Sequence, residues 1–238
     1  MLGENKGSHS GIIQRIKSDG YSIVSCTELQ FLADCRQSFR ELISAWDALP
    51  TDPYLKGGRY RLRRHGKFRC QGGQVTVCPP GSYFQDDQVN KFAGGIRRTF
   101  AQLEPRDAAN VSLLSLLCHN ASLFEAVLGR NPSTWEINVH FVRVMGDPGS
   151  AGLPSPEGPH RDGFDFIALH HIARENISGG VTTIFSDSGK VLEQYEMRQL
   201  LDTLYAQDSR VLHDVSPIWG ISGQGHRDML LTSYCLDR

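Results

Sequence analysis

From residue 27 onward, apolar positions recur at three- and four-residue steps: Leu29, Leu32, Cys35, Phe39, Leu42, Ile43 and Trp46 fall on one stripe that stops before Pro50. This spacing predicts an amphipathic helix. Thr27-Glu28-Leu29-Gln30 reads as its capping box, with a threonine cap and a glutamine three residues later. Leu113, Leu114, Leu116, Leu117, Phe124, Val127 and Leu128 predict a second helix. Both stripes are expected to face a core rather than a partner. The stretch 111–128 is the most apolar in the chain, but Ser112, Ser115, His119, Asn120, Ser122 and Glu125 interrupt it, and it is not expected to cross a bilayer.

After Asn131-Pro132 the period changes to two. Trp135, Ile137, Val139 and Phe141 alternate with polar neighbours over 136–145, which predicts a strand. Strand-like runs follow at 164–172, 180–185, 210–215 and 228–236, separated by Gly- and Pro-rich turns; 197–205 reads as a short helix or loop. Many short strands with such punctuation predict a sandwich or barrel. The Pro/Gly-rich loop 147–159 lies between two strand patterns and directly precedes a histidine, so it is expected to frame a site. With no repeat and no linker, residues 1–238 read as one domain of the α+β class. About 1–130 is mainly helical support with the first strands, and 131–238 is the β core.

The 238 residues balance 25 basic against 26 acidic side chains, a net charge of −1. This argues against the chain as a whole binding nucleic acid or an anionic membrane. Six cysteines without a C-x-x-C pair and an N-terminus without a signal pattern predict reduced thiols and a cytoplasmic protein, so the sequons at Asn110, Asn120 and Asn176 carry no weight. One basic run stands out: Arg59, Arg61, Arg63, Arg64, Lys67 and Arg69 alternate with Tyr60, Leu62 and Phe68. It reads first as a strand with one solvated basic face. Recognition of a carboxylate-bearing substrate is the second reading, and the near-neutral total disfavours a nucleic-acid contact. Asp187-Ser188-Gly189-Lys190 lacks the rest of a phosphate loop and reads as a turn, and no G-x-S-x-G nucleophile motif occurs.

The chemistry concentrates in His160-Arg161-Asp162, with His213 and Arg227 downstream. Residues two apart in an extended strand point to one face, so His160 and Asp162 present an imidazole and a carboxylate to the same point. A further histidine from another strand completes a two-His-one-carboxylate face, which leaves open positions on an octahedral ion and suits non-haem Fe(II). By itself H-x-D is common and often only a surface or cap pattern. Here a Pro/Gly loop precedes it, Gly163 and an apolar strand follow it, and Val211-Leu212-His213-Asp214-Val215 is strand-like. Arg227, just before Met229-Leu230-Leu231, is placed for burial. A buried guanidinium requires an anion, which a dicarboxylate supplies in a two-pronged pair.

Gly58-Arg59-Tyr60-Arg61, Pro156-Glu157-Gly158-Pro159-His160-Arg161-Asp162-Gly163, Asn176-Ile177-Ser178-Gly179-Gly180, Val211 through Ile218 and Arg227 through Leu231 together resemble the Fe(II)- and 2-oxoglutarate-dependent dioxygenases. More narrowly the chain is similar to bacterial free amino-acid hydroxylases of the L-isoleucine dioxygenase type. The resemblance implies a double-stranded β-helix (jelly roll, cupin-like) with supporting helices and iron ligation by His160, Asp162 and His213. It also implies pairing of Arg227 with the distal carboxylate of 2-oxoglutarate. Fe(II), 2-oxoglutarate and O2 are the implied cofactor and co-substrates, with ascorbate as a helpful reductant, and 2-oxoglutarate is converted to succinate. Some members of the superfamily carry serine where this chain has Met229, so a second partner for the distal carboxylate must lie elsewhere. Thr182, His140, Thr232 and Ser233 are the candidates. An amino-acid substrate needs partners for its carboxylate and ammonium as well, for which Arg143, Arg161, Glu157 and Asp165 are candidates. No nucleic acid or membrane is expected as a partner. Competing readings keep the chemistry on a protein side chain or nucleobase, or reduce the chain to a non-catalytic jelly-roll binder.

Overall fold

The computed structural model describes residues 6–29, 36–55, 60–85, 94–130 and 133–237. In chain order the elements are α1 (Lys6–Asp19), β1 (Tyr21–Val24), α2 (Arg36–Ile43), a 3-10 turn (Ser44–Ala48), β2 (Arg61–Gln71), β3 (Gln74–Val77), α3 (Pro105–Ala108) and α4 (Val111–Leu128). Then follow β4 (Thr134–Gly146), β5 (Phe166–Glu175), β6 (Ile177–Gly179), β7 (Thr182–Phe185), β8 (Val191–Tyr195), β9 (Thr203–Gln207), β10 (Leu212–Val215), β11 (Ile218–Gly220) and β12 (Gly225–Leu236).

All strand pairs are antiparallel. A major sheet runs β1-β9-β5-β12-β4-β2-β3 and a minor sheet β10-β7-β8, with a short β11-β6 pair beside them. The backbone at His160 bridges β10 at His213, which adds the metal-motif segment to the minor sheet's edge. The result is the jelly-roll core expected from the sequence, a double-stranded β-helix with few helices. Strands β1 and β2 come from the first third of the chain, so the segment expected to be mainly support also builds the major sheet.

Strand parity sorts the side chains into two layers. Trp135, Ile137, Val139 and Phe141 of β4, Phe166 and Ala168 of β5, and Leu230 and Tyr234 of β12 face the helices, where they pack with Leu113, Leu116, Leu117 and Phe124 of α4 and with Phe39, Leu42 and Trp46. Ile167 and Leu169 of β5 turn the other way and pack with Ile184, Leu204 and Met229 between the sheets. A strand buried on both faces needs no polar alternation, which is why 166–172 reads as an unbroken run.

Helix α4 is long and apolar enough to cross a membrane by composition, contrary to the sequence expectation. Apart from the exposed Val111 at its start, its apolar side chains nevertheless lie in or against the core layer just described, and its buried Asn120 binds His170, Tyr205 and Tyr234. These contacts are those of a core helix. The Asn110 side chain caps it by accepting from the N–H groups of Ser112 and Leu113, and Gly129 closes it in the left-handed conformation at φ 66°. The helix predicted from Thr27 is present as α2 and the 3-10 turn, while 30–35 lie outside the described residues. Ahead of them Glu28 accepts from the Ser25 N–H and closes a turn, so no helix starts at Thr27. The segment 197–205, expected as a short helix or loop, contains the start of β9, whose Thr203, Leu204, Tyr205 and Ala206 are all buried.

Candidate active site

The face of each strand opposite the helices lines the inside of the barrel. Arg61 and Arg63 of β2, Val142 and Val144 of β4, Thr182 of β7, His213 and Val215 of β10, and Arg227, Met229 and Leu231 of β12 surround a cavity of about 120 Å³. Pro154, Ser155 and Glu157 from the Pro/Gly loop form part of its wall, as that loop's position predicted.

His160, Asp162 and His213 meet on this wall. The His160 N–H donates to the His213 carbonyl at 3.0 Å and the His213 N–H donates back at 2.9 Å, so the two histidines are direct cross-strand partners. Their rings are 4.3 Å apart. The His160 Nε2 lies 3.8 Å from Asp162 Oδ1, and the His213 Nε2 lies 3.8 Å from Asp162 Oδ2. One ligand atom from each side chain falls within 4.8 Å of the others, a spacing that fits a single metal ion. Among the described residues this is the cluster of His, Cys, Asp and Glu side chains close enough to hold an ion.

Local contacts orient these side chains. The His160 Nδ1 sits 2.8 Å from the Gly158 carbonyl, which can only accept; the proton therefore resides on Nδ1 and leaves Nε2 to ligate. Burial, then the charge of His160, pushes the His213 imidazole down to about 3, which keeps it in the neutral form a metal requires. Burial also disfavours the charged form of His160, but the carboxylates of Asp162 and Glu157 outweigh it and its pKa is raised. The Asp162 loop is held from below by Asp208, which is 1% exposed. Its carboxylate accepts from the N–H groups of Asp162, Gly163 and Phe164 at 3.1, 2.6 and 3.0 Å.

Arg227 faces the same cavity from β12 and is 3% exposed. Its Nη2 reaches the Thr182 hydroxyl at 3.5 Å and the Met197 sulfur at 3.9 Å, while Nε has no hydrogen-bond partner. No carboxylate of the described residues lies within ion-pair distance of it. Burial, then the like charge of Arg174, pushes it down to about 10, still charged at neutral pH. An enclosed guanidinium with an orphaned N–H facing a cavity is a receptor for an anionic group.

With this geometry in hand, the chain can be placed among known proteins. Residues 44–233 match the 2OG-Fe dioxygenase family, and the chain belongs to it. It is 27% identical over 226 residues, covering 92% of this chain and 90% of the relative, to the 3(1)-hydroxy-L-isoleucine 4-dioxygenase of Pantoea ananatis (strain AJ13355). Among solved structures it resembles a BsmA homologue from Methylobium petroleophilum PM1, with a TM-score of 0.86, 29% identity and coverage of 95% of this chain and 92% of that one. It also shares the fold of IDO from Bacillus thuringiensis, with a TM-score of 0.80, 17% identity and coverage of 97% and 100%. The protein is therefore a 2-oxoglutarate- and Fe(II)-dependent dioxygenase. Its neutral His213, the oriented His160 and the orphaned Arg227 N–H fit the metal and the co-substrate that the family implies.

The structure brings some sequence candidates into the cavity and removes others. Thr182 stands beside Arg227, and Glu157 is on the wall with its Oε1 3.5 Å from His160 Nε2. His140 instead accepts from the Arg63 Nε at 3.0 Å and lines an adjoining pocket of about 30 Å³ that shares Arg63, Tyr83, Asp162, Leu169 and Leu231 with the cavity but reaches neither Arg227 nor Thr182. Thr232 and Ser233 line that same pocket, with the Thr232 hydroxyl donating to the Ala168 carbonyl at 2.9 Å. Arg143 has the parity opposite to Val142 and Val144 and leaves the cavity altogether; its guanidinium grips Asp228 through two 2.8 Å contacts. Arg161 points outward to pair with Asp187 and donates to the Val211 carbonyl. Asp165 accepts from the Leu236 N–H at 2.9 Å and lines a pocket with Leu128, Arg130 and Asp237. None of these three lines the cavity.

The basic run reverses its first reading. Arg61 and Arg63 are cavity residues, held by the buried carboxylate of Asp52 at 2.8 and 3.9 Å. Arg63 also lies over the Phe100 ring at 4.4 Å, and burial, then Arg61, pushes it down to about 10. Arg98, Tyr83 and Gln85 complete this wall and were not recognised from the sequence. The Arg-x-Arg alternation was the available signal for part of it, because alternate residues of one strand share a face.

Proposed function

We propose that this dioxygenase hydroxylates a C–H bond of a free L-amino acid with an aliphatic or cyclic side chain, such as isoleucine, leucine, pipecolate or proline. The observation that carries the reading is the cavity wall itself. Arg61, Arg63 and Arg98 offer guanidinium groups to a carboxylate, Glu157 offers a carboxylate to an ammonium group, and Val142, Val144, Leu169 and Leu231 offer an apolar surface. The relative named for a hydroxylated L-isoleucine supports the same substrate class.

In this reading His160, Asp162 and His213 hold the iron, and Arg227 with Thr182 holds the distal carboxylate of 2-oxoglutarate. Iron bound with 2-oxoglutarate and O2 supplies the oxidising power, consuming the 2-oxo acid to succinate and carbon dioxide. The chain's own task is positional: the charged wall fixes the two polar ends of the amino acid, and the apolar residues present one C–H bond to the metal side while excluding water. Arg227→Ala removes the buried cation that faces the co-substrate, and the 2-oxoglutarate KM is expected to rise about 100-fold, within the range for truncating a buried charge pair.

The test is anaerobic reconstitution with Fe(II), then air, ascorbate, 2-oxoglutarate and pooled L-amino acids, read by mass spectrometry. A product heavier by one oxygen atom, formed with succinate and lost without iron or 2-oxoglutarate, supports the proposal. Succinate with no modified amino acid overturns the substrate class and leaves a protein side chain or nucleobase as the target.

A further inference from the structure

Arg98 is 2% exposed and faces the cavity, yet no carboxylate of the described residues lies within ion-pair distance of it. Its guanidinium lies against two neighbouring aromatic rings instead, with the Tyr83 ring centre at 5.0 Å and the Phe100 ring centre at 5.7 Å. The Tyr83 and Arg98 backbones exchange hydrogen bonds at 2.8 Å in both directions, and the Gly95 N–H donates to the Gln85 carbonyl at 2.9 Å. These bonds bring Gln85 and Arg98 onto one patch of the wall. The Arg98 Nη2 donates to the Gln85 Oε1 at 2.5 Å. The Gln85 Nε2 donates onward to Asp162, at 3.0 Å to its main-chain carbonyl and 3.3 Å to Oδ1.

The direction of this chain is unambiguous. A guanidinium only donates and the Asp162 main-chain carbonyl only accepts, so the amide between them must turn its oxygen to Arg98 and its NH2 to Asp162. A glutamate at position 85 would satisfy Arg98 but set a second negative charge against Asp162. An alanine would leave Arg98 with neither anion nor amide.

We infer that Arg98 and Gln85 are positioning residues that set the orientation of the metal-ligating carboxylate of Asp162, so that the cation on the substrate wall is mechanically joined to the metal site. Gln85 occupies one lone pair of Oδ1 and ties down the Asp162 main chain, leaving the carboxylate fewer orientations to lose on ligation. Arg98 acts one step further out by fixing the amide. The inference rests on the assignment of Asp162 as a ligand made above, and it concerns the metal site before any amino acid binds.

Co(II) affinity and d–d absorption of the metal-free full chain, titrated without oxygen or substrate, test it. Asp162→Ala is the control for the ligand assignment and should abolish tight binding. Gln85→Ala and Arg98→Met should each weaken Co(II) about 10-fold, as removing an outer-sphere partner of a ligand does, and shift the d–d bands. The double variant should be no weaker than the worse single one, because both changes break one chain, and Arg98→Lys, which keeps a donor and the charge, should recover part of the loss. Each variant is first compared by circular dichroism; if Arg98→Met does not fold, Gln85→Ala and Arg98→Lys carry the test. Unchanged affinity and spectra in Gln85→Ala, or losses that multiply in the double variant, overturn the relay. Tight binding by Asp162→Ala overturns the ligand assignment instead.

Discussion

Arg143 and Asp228 stand directly opposite each other on β4 and β12, and their side chains form a two-pronged ion pair on the helix-facing side of the sheet. One position away in the same register Val144 faces Arg227, and both turn into the cavity. The two arginines, diagonal neighbours across the β4–β12 pair, thus serve opposite sides of the sheet: one closes the outer layer and the other presents a cation to the site. Asp228 is 1% exposed, and burial raises its pKa against the opposing pull of Arg143. Arg143→Ala removes the guanidinium partner of that buried carboxylate and leaves beside it only the His226 imidazole, whose Nε2 lies 3.5 Å from Asp228 Oδ2. A loss of roughly 2–4 kcal/mol is expected by denaturant unfolding, with the KM for 2-oxoglutarate unchanged in the folded fraction. A large KM increase without destabilisation would return Arg143 to the site.

Gly180 lies against Arg227, and a Cβ there would sit 3.3 Å from the Arg227 Cδ and 3.1 Å from an Ile218 methyl, at a φ of +72°. Side chains rarely adopt this conformation, and making room requires both the Ile218 methyl and the stem of Arg227 to give, which displaces the guanidinium. Gly180→Ala should therefore raise the 2-oxoglutarate KM by about 10-fold, the order of the 1–2 kcal/mol that such strain costs. Steady-state kinetics at varied co-substrate, beside a thermal melt, separate this from simple unfolding. A wild-type KM would show that Arg227 does not depend on that glycine.

Asp208 accepts three main-chain N–H groups around the metal motif. Asn keeps one accepting oxygen but turns an NH2 towards donors. Asp208→Asn should cost about 2–3 kcal/mol of stability and weaken Mn(II) binding about 10-fold, measured by thermal unfolding and by metal titration. If metal binding holds at wild-type strength, the loop is fixed by its strand bridge to His213 alone.

His170 makes the protein acid-sensitive. Its Nδ1 lies 2.8 Å from the Thr203 hydroxyl, whose own proton goes to the Leu201 carbonyl; Nδ1 therefore donates, and Nε2 accepts from Asn120 at 3.1 Å. A second proton has no acceptor, and burial pushes the pKa down to about 3 from an ordinary 6.5. Because the folded pKa is depressed, the unfolded chain binds the extra proton first and stability falls as pH drops below about 6.5. At pH 5 this single group is expected to have cost up to about 2 kcal/mol relative to pH 7. Urea unfolding at both pH values should show a smaller difference for His170→Gln than for the parent chain. Equal differences would assign the acid sensitivity to the other buried imidazoles, among them His65, His119 and His171, each pushed down to about 4 by burial, and His213, pushed down to about 3.

Elements that carry a long apolar pattern were legible in the sequence. Helix α4 and strands β4, β5 and β12 each carry a periodic or continuous apolar pattern long enough to read, while β10, only four residues long, was marked by the apolar positions around His213. The short strands β3, β6, β8 and β11 span three to five residues, too few for a period, and their pairing is made by partners far away in the chain. Helix α1 escaped notice because only Ile12, Ile13 and Ile16 mark its buried side.

The amino-acid sequence by itself supplied the candidate ligand set: an imidazole and a carboxylate two residues apart, a later histidine in a strand, and an arginine ahead of the last apolar run. These are properties of local spacing and side-chain type, which do not wait for the fold. Which arginines face the site was decided only by the tertiary structure. Arg143 and Arg227, or Arg61 and Arg64, cannot be told apart by composition, because a strand's parity becomes inside or outside only when a second layer covers one face. The same holds for Asp52, Arg98 and Gln85, which are remote from the metal motif in the chain. Their roles arise from contacts that exist only once the two sheets have closed.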